Sequence, residues 1–196
     1  MNRVKVGIDL DGTLIRYQEE MVRFLNKKYS MDCKFSNVKR DDCYDLLGTN
    51  PLSRAFKLSA FYKFSNSLSK INPTNGAKKT ILSLKKNGYE LYVVTSRFIG
   101  FSSGTKKWLD ENFGKRIFTK IMFSKVLSSY STRFKVAKYR QLGVEIVIED
   151  SPYVAEKCAS LGMKVLLVTK PWNKGLKLEG VRRIADLREA LRILKG

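Results

Sequence analysis

The chain has 196 residues, 43% of them hydrophobic and 11% aromatic, with a formal net charge of +20 at neutral pH. That length and apolar content suit one globular domain, or one core carrying a small insertion, and exclude a disordered chain. There is no histidine, so histidine-based triads are excluded and acid–base chemistry falls to carboxylates, lysine, tyrosine or cysteine. The three cysteines, Cys33, Cys43 and Cys158, lack any CxxC spacing. They read as idle thiols in a reducing cytoplasm, not as a disulfide framework or a zinc site. No apolar run approaches the ~18 residues of a membrane span.

Taken in chain order, Arg3 and Lys5 flank only a short apolar run that leads straight into Asp9. Residues 4–9 therefore read as a first strand and not as a leader. Residues 16–72 then break any regular alternation, with a helical stretch over Glu19–Tyr29, a polar middle containing Asp41, Asp42 and Asp45, and an aromatic-rich stretch from Phe56 to Phe64. The scarcity of β-branched residues between 40 and 70 favours a small helical cap over an extra βα unit. Ala77–Lys86 places Ile81, Leu82 and Leu84 among lysines and stops at Asn87-Gly88, the pattern of a surface helix. Leu91–Thr95 reads as a buried strand, Thr105–Phe113 as a helix, Phe134–Leu142 as a helix ending at Gly143, and Ile146–Glu149 as another strand. Pro152–Leu161 opens on proline and ends at Gly162, the asymmetry expected of a helix. A strand at Val165–Val168 and a tail helix at Asp186–Leu194 complete the pattern.

Strands alternating with helices predict an α/β, doubly wound (Rossmann-like) parallel sheet with a small helical cap inserted after the first strand. The expected division is a core of residues 1–15 and 73–196 and a cap of residues 16–72. Ligands of such sheets bind beyond the carboxyl ends of the strands.

The chemistry-bearing residues cluster at those ends. The first strand runs into Asp9-Leu10-Asp11-Gly12-Thr13. Residues two apart on a strand share a face, so both carboxylates can point into one site, and Gly12 lets the backbone turn directly after them. An ionised aspartate can act as a nucleophile and form an aspartyl-phosphate. A second carboxylate beside it can serve as proton donor. The second strand ends Thr95-Ser96-Arg97, where hydroxyls and backbone N–H groups can hold phosphoryl oxygens. Lys135 lies near the start of the helix before the Ile146–Glu149 strand, with Lys138 as the competing lysine. That strand ends Glu149-Asp150-Ser151-Pro152. Adjacent acids after an apolar strand suit Mg²⁺, which takes a few carboxylates together with phosphate oxygens, and Asp150 or Ser151 can also cap the following helix.

In this order, Asp-x-Asp-Gly-Thr, Thr-Ser, Lys and Glu-Asp, the chain resembles the haloacid dehalogenase superfamily of phosphatases across essentially the whole core. The runs Thr95-Ser96-Arg97, Lys106-Lys107-Trp108-Leu109, Glu149-Asp150-Ser151-Pro152 and Pro171-Trp172-Asn173 are similar to the bacterial and archaeal branch of the 5'(3')-deoxyribonucleotidase family. The resemblance implies Asp9 as nucleophile and Asp11 as the acid that protonates the leaving oxygen and then activates water. It also implies Thr95, Ser96 and Arg97 as substrate-binding residues and Lys135 as the cation offsetting charge on Asp9 and phosphate. Mg²⁺ would be held by Asp9, the backbone carbonyl of Asp11 and Asp150, with Glu149 one step out, through water or a hydrogen bond. The insertion would be a lid over the substrate, and its aromatic residues Phe56, Phe61, Tyr62 and Phe64 would form either a nucleobase pocket or the lid's own core.

The expected activity is Mg²⁺-dependent dephosphorylation of (deoxy)nucleoside 5'-monophosphates in the cytoplasm. The alternatives are a nucleic-acid-end (polynucleotide 3'-) phosphatase, whose polyanionic partner the +20 charge would suit, and a phosphatase for another small phosphorylated metabolite. A non-catalytic scaffold is disfavoured because every motif is intact. The charge is spread along the chain and not gathered in one run, so the expected nucleic-acid binding is weak and electrostatic.

Overall fold

The computed structural model describes residues 3–65, 71–125 and 131–195. Six strands, β1 (Lys5–Ile8), β2 (Glu90–Phe98), β3 (Lys120–Ser124), β4 (Ile146–Glu149), β5 (Lys164–Val168) and β6 (Val181–Ile184), form one sheet. Their order is β3-β2-β1-β4-β5-β6 and every pairing is parallel. This is the doubly wound arrangement read from the sequence. Strand order reverses at β1, so the crevice for a ligand opens at the carboxyl ends of β1, β2 and β4.

β3 and β6 were not among the expected strands, and the reason is their place at the two edges. A central parallel strand is covered on both faces and reads as a continuous apolar run; an edge strand need not. β6 carries Arg182 and Arg183 at its centre, and β3 begins on the exposed Lys120.

Side chains alternate across the sheet. Val6, Ile8, Leu91, Val93, Ile146 and Ile148 face α3 (Ala77–Lys86), α4 (Ser102–Phe113) and α7 (Leu187–Lys195). Tyr92, Val94, Val147, Val165 and Leu167 face α5 (Ser131–Leu142) and α6 (Pro152–Ala159). α3, for example, buries Ala77, Ile81 and Leu84 and leaves Lys78, Lys79 and Lys86 in water. Gly7 is required by close packing: a Cβ there would lie 2.5 Å from the Tyr139 ring on α5.

Between β1 and α3 the chain forms α1 (Tyr17–Tyr29) and α2 (Pro51–Ser65), with single 3₁₀ turns at Phe35–Asn37 and Tyr44–Leu46. No strand occurs among the described residues of this segment. Ile15 pairs with Pro73 in an isolated antiparallel bridge, and Thr74 N–H donates to Leu14 O at 2.9 Å. The chain thus leaves the sheet and returns to it at adjacent points. Among the described residues, no helix is long and apolar enough to cross a membrane.

Candidate active site

β1 delivers Asp9 to the carboxyl edge at the switch point. Its N–H donates to Ile148 O at 3.0 Å, tying the end of β1 to β4, and its side chain is buried. The backbone then turns: Gly12 has φ +83°, its N–H donates to Ile15 O, and both Leu14 and Ile15 donate to Leu10 O. A Cβ at Gly12 would lie 1.9 Å from Asp150 Oδ2. Glycine is therefore needed twice over, for the left-handed turn and for the approach of backbone to carboxylate.

The register places the partners. Ile8 lies opposite Ile148 on β4 and Val93 on β2, so Glu149 and Asp150 on one side and Thr95 and Ser96 on the other end beside Asp9. Lys135, one turn into α5, reaches across to donate to Asp9 Oδ1 at 2.6 Å and Glu149 Oε1 at 2.9 Å, with only 8% of its side chain exposed. Lys138 instead bonds Gln141 on the surface. Tyr139, four residues after Lys135 and so on the same helix face, donates its hydroxyl to Glu149 Oε1 at 3.3 Å. Tyr139 carried no functional expectation from the sequence; its i+4 spacing from Lys135 was the available signal.

The electrostatics follow from burial. Loss of water raises the Asp9 pKa, Lys135 pulls it back, and the Glu149 and Asp11 charges push it up again, to about 7. Burial and the Asp9 and Glu149 carboxylates hold Asp150 well above the usual carboxylate range. Burial works against the Lys135 ammonium, but Asp9, Glu149 and Asp150 outweigh it and keep its pKa well above the ordinary lysine value. One buried cation thus serves three buried acids.

Oxygens of Asp9, Glu149 and Asp150 lie within 4.8 Å of one another. Glu149 is saturated: Oε1 accepts from Lys135 and Tyr139, and Oε2 accepts the N–H groups of Asp150 and Ser151 at 3.2 Å each. Asp9 Oδ2 and Asp150 Oδ2 are buried and have no hydrogen-bond partner among the described residues. Two such oxygens are costly unless a cation lies between them. An all-oxygen donor set of this kind fits a hard divalent cation, so these residues match a metal site.

On the opposite side, Thr95 is fully buried and its Oγ1 accepts the Arg97 N–H at 3.2 Å. Ser96 Oγ and Thr13 Oγ1 are buried without partners among the described residues. Arg97 points toward Asp11. Its guanidinium grips Asp11 with Nη2 at 2.6 Å and Nε at 2.9 Å, lies 5.3 Å over the Tyr17 ring, and reaches Thr105 Oγ1 at 3.4 Å. The Asp11 carboxylate is therefore held in an arginine fork.

The α1–α2 segment contributes from above. Gln18 is buried beside Gly12 and donates to Asp41 O at 2.9 Å, and the Asp41 charge adds to the upward push on Asp150. Phe61 is fully buried, edge-on to Tyr17 at 5.1 Å and Phe24 at 5.3 Å, so it belongs to the packing of the segment. Phe56 is exposed; the side chains of Tyr62 and Phe64 lie outside the described residues.

Comparison with known proteins agrees with this geometry. A curated protein of Oceanobacillus iheyensis that bears the name "Putative nucleotidase" is 24% identical, over 96% of this chain and 97% of its own length. The structure of a protein from Clostridium acetobutylicum described as "a predicted phosphatase" superposes with a TM-score of 0.70 at 19% identity, over 100% of both chains. That of CbbY from Rhodobacter sphaeroides in complex with phosphate gives 0.66 at 17% identity, over 96% of each chain. These two likenesses concern the fold. The family described as "5' nucleotidase, deoxy (Pyrimidine), cytosolic type C protein" matches residues 2–195, and the chain belongs to that family, as a phosphoric monoester hydrolase of the haloacid dehalogenase superfamily.

Proposed function

We propose that this enzyme hydrolyses (deoxy)nucleoside 5'-monophosphates in the cytoplasm through an aspartyl-phosphate on Asp9, with Mg²⁺ as its cofactor. The observation that carries the reading is the state of Asp9: buried, neutralised at one oxygen by Lys135, and open at the other toward an equally open oxygen of Asp150. Asp9 and Asp150, with the backbone carbonyl of Asp11, would hold the ion, and Glu149 orients that set through the two N–H groups it accepts. Bound there, Mg²⁺ supplies positive charge against the phosphoryl oxygens.

The remaining steps belong to the chain. Thr95 and Ser96 bind phosphoryl oxygens, and the buried Ser96 hydroxyl, without a partner among the described residues, can donate. Asp9 attacks phosphorus, the P–O bond to the nucleoside breaks, and Asp11 gives its proton to the leaving oxygen. Asp11 then takes a proton from water, which attacks the aspartyl-phosphate and releases phosphate. Arg97, placed with the substrate by the sequence, sits at the rim and fixes the direction of the Asp11 carboxylate. Residues 16–72 act as a lid, supported by the contact of Gln18 and the Asp41 loop with the site and by the adjacent exit and return points at Ile15 and Pro73. Family membership supports a nucleotide as substrate.

The test is a panel of mononucleotides, sugar phosphates and 3'- or 5'-phosphorylated oligonucleotides, assayed with Mg²⁺ and with chelator. The reading expects mononucleotides to lead in kcat/KM and chelator to abolish turnover. A preference for oligonucleotide ends that persists at physiological salt would replace it with the end-phosphatase reading.

A further inference from the structure

The run Pro171-Trp172-Asn173 has no part in the chemistry above, yet its two polar side chains converge on one atom of the site. Trp172 Nε1 donates to the Asp150 carbonyl oxygen at 3.0 Å, and Asn173 Nδ2 donates to the same oxygen at 2.8 Å. Asn173 is fully buried. Its amide also donates to Val168 O, at the end of β5, at 2.8 Å. Asn173 Oδ1 accepts Lys170 N–H at 3.0 Å and Arg183 Nη1 at 2.9 Å. Both N–H groups and both lone pairs of this amide are therefore used, and the arginine fixes which end of the amide faces Asp150. Arg183, at the centre of edge strand β6, also donates through Nη2 to Asn173 O at 2.7 Å and to Leu176 O.

One buried amide thus ties together the ends of β4 and β5 and is itself oriented from β6. The peptide it holds is that of Asp150, whose side-chain Oδ2 is buried, without a partner among the described residues, and within the Asp9–Glu149–Asp150 cluster. Fixing the carbonyl on one side of the Cα limits how far the carboxylate on the other side can swing. Glu149 holds the N–H of the same residue, so both polar backbone groups of Asp150 are clamped.

We infer that Arg183, Asn173 and Trp172 form a positioning relay that aims the Asp150 carboxylate at the divalent cation and so sets metal affinity from a strand at the far edge of the sheet. The inference rests on the metal reading above and adds the residues that tune it. They act through Asp150 and touch neither substrate nor metal. Partners one step behind metal ligands characteristically change affinity by about 10–100-fold when lost.

The experiment measures Mg²⁺ affinity calorimetrically on the metal-stripped enzyme, beside the melting temperature in chelator and kcat and KM at saturating Mg²⁺. Asn173→Asp replaces both amide donors with acceptors facing two carbonyls and is expected to weaken Mg²⁺ binding by roughly 10–100-fold. Trp172→Phe, which keeps the packing and loses one donor, should weaken it less. Arg183→Met should weaken it and Arg183→Lys should recover part of the loss; because Arg183 is only half-buried, this pair carries the test if Asn173→Asp fails to fold. KM for substrate at saturating Mg²⁺ should stay near the parent value throughout. Variants that melt earlier but bind Mg²⁺ within twofold of the parent overturn the relay and leave the metal reading standing. A parent enzyme that takes up no Mg²⁺ overturns both.

Discussion

Lys135→Met isolates the electrostatic centre of the site, because methionine keeps most of the side-chain volume and removes only the charge. The Lys135 ammonium is the partner of Asp9 Oδ1 at 2.6 Å and of Glu149 Oε1 at 2.9 Å, and the three side chains are 8%, 3% and 0% exposed. Removing one member of a buried ion pair costs about 3–5 kcal/mol. For a chain of this length that corresponds to a melting temperature lower by roughly 6–20 °C. The deficit should depend on pH in a definite sense. The Asp9 pKa is raised in the folded state, to about 7 from 3.8. A raised carboxyl binds its proton more tightly folded than unfolded, so stability falls as pH climbs from the unfolded value to the folded one and then levels. Lys135 is the group that pulls the Asp9 value down, so in the variant the fall continues past the point where the parent levels. Differential scanning fluorimetry in chelator should therefore show a larger gap at about pH 8 than at about pH 5.5. A gap under about 2 °C at the higher pH, or one that grows toward acid, would refute the assignment of Lys135 as the counter-charge of this cluster.

Asp9→Asn should remove turnover while preserving the circular dichroism spectrum, since an amide cannot form the acyl phosphate; measurable hydrolysis in a clean preparation would sink the covalent route. Asp150→Ala should weaken Mg²⁺ binding more than Glu149→Gln, because Asp150 offers an open oxygen and Glu149 has none left; calorimetric titration of both variants gives the ranking, and the reverse order would exchange their roles. Arg97→Ala frees Asp11 from its fork and should lower kcat by about 100-fold, the lower end of the range for an acid–base group, with little change in KM; a rise in KM alone would make Arg97 a substrate ligand, the role its position after Thr95-Ser96 suggests. Single-stranded oligonucleotides should bind weakly, with affinity collapsing as salt rises, and fluorescence anisotropy across a salt series that showed tight, salt-resistant binding would give the +20 charge a specific partner.

The sequence alone determined whatever depends on neighbours along the chain or on burial of a whole segment. β1, β2, β4 and β5 were legible because a strand covered on both faces must be apolar along its length, and the sharp turn after Asp11 because only glycine takes that φ next to a carboxylate. The convergence of Asp9, Lys135, Glu149 and Asp150 could be anticipated from order alone, since parallel strands bring all their carboxyl ends to one edge. The edge strands β3 and β6 escaped notice because an edge imposes no apolar run. Tertiary structure decided which side chains meet across that edge. It turned Arg97 onto Asp11, put Tyr139 behind Glu149 and sent Phe61 into the packing of the inserted segment. It also brought Asn173 and Arg183 to the back of Asp150. Each of these is a contact of a few ångströms between residues far apart in the chain, set by the twist and register of strands, and no local pattern of residue types encodes a distance of that kind.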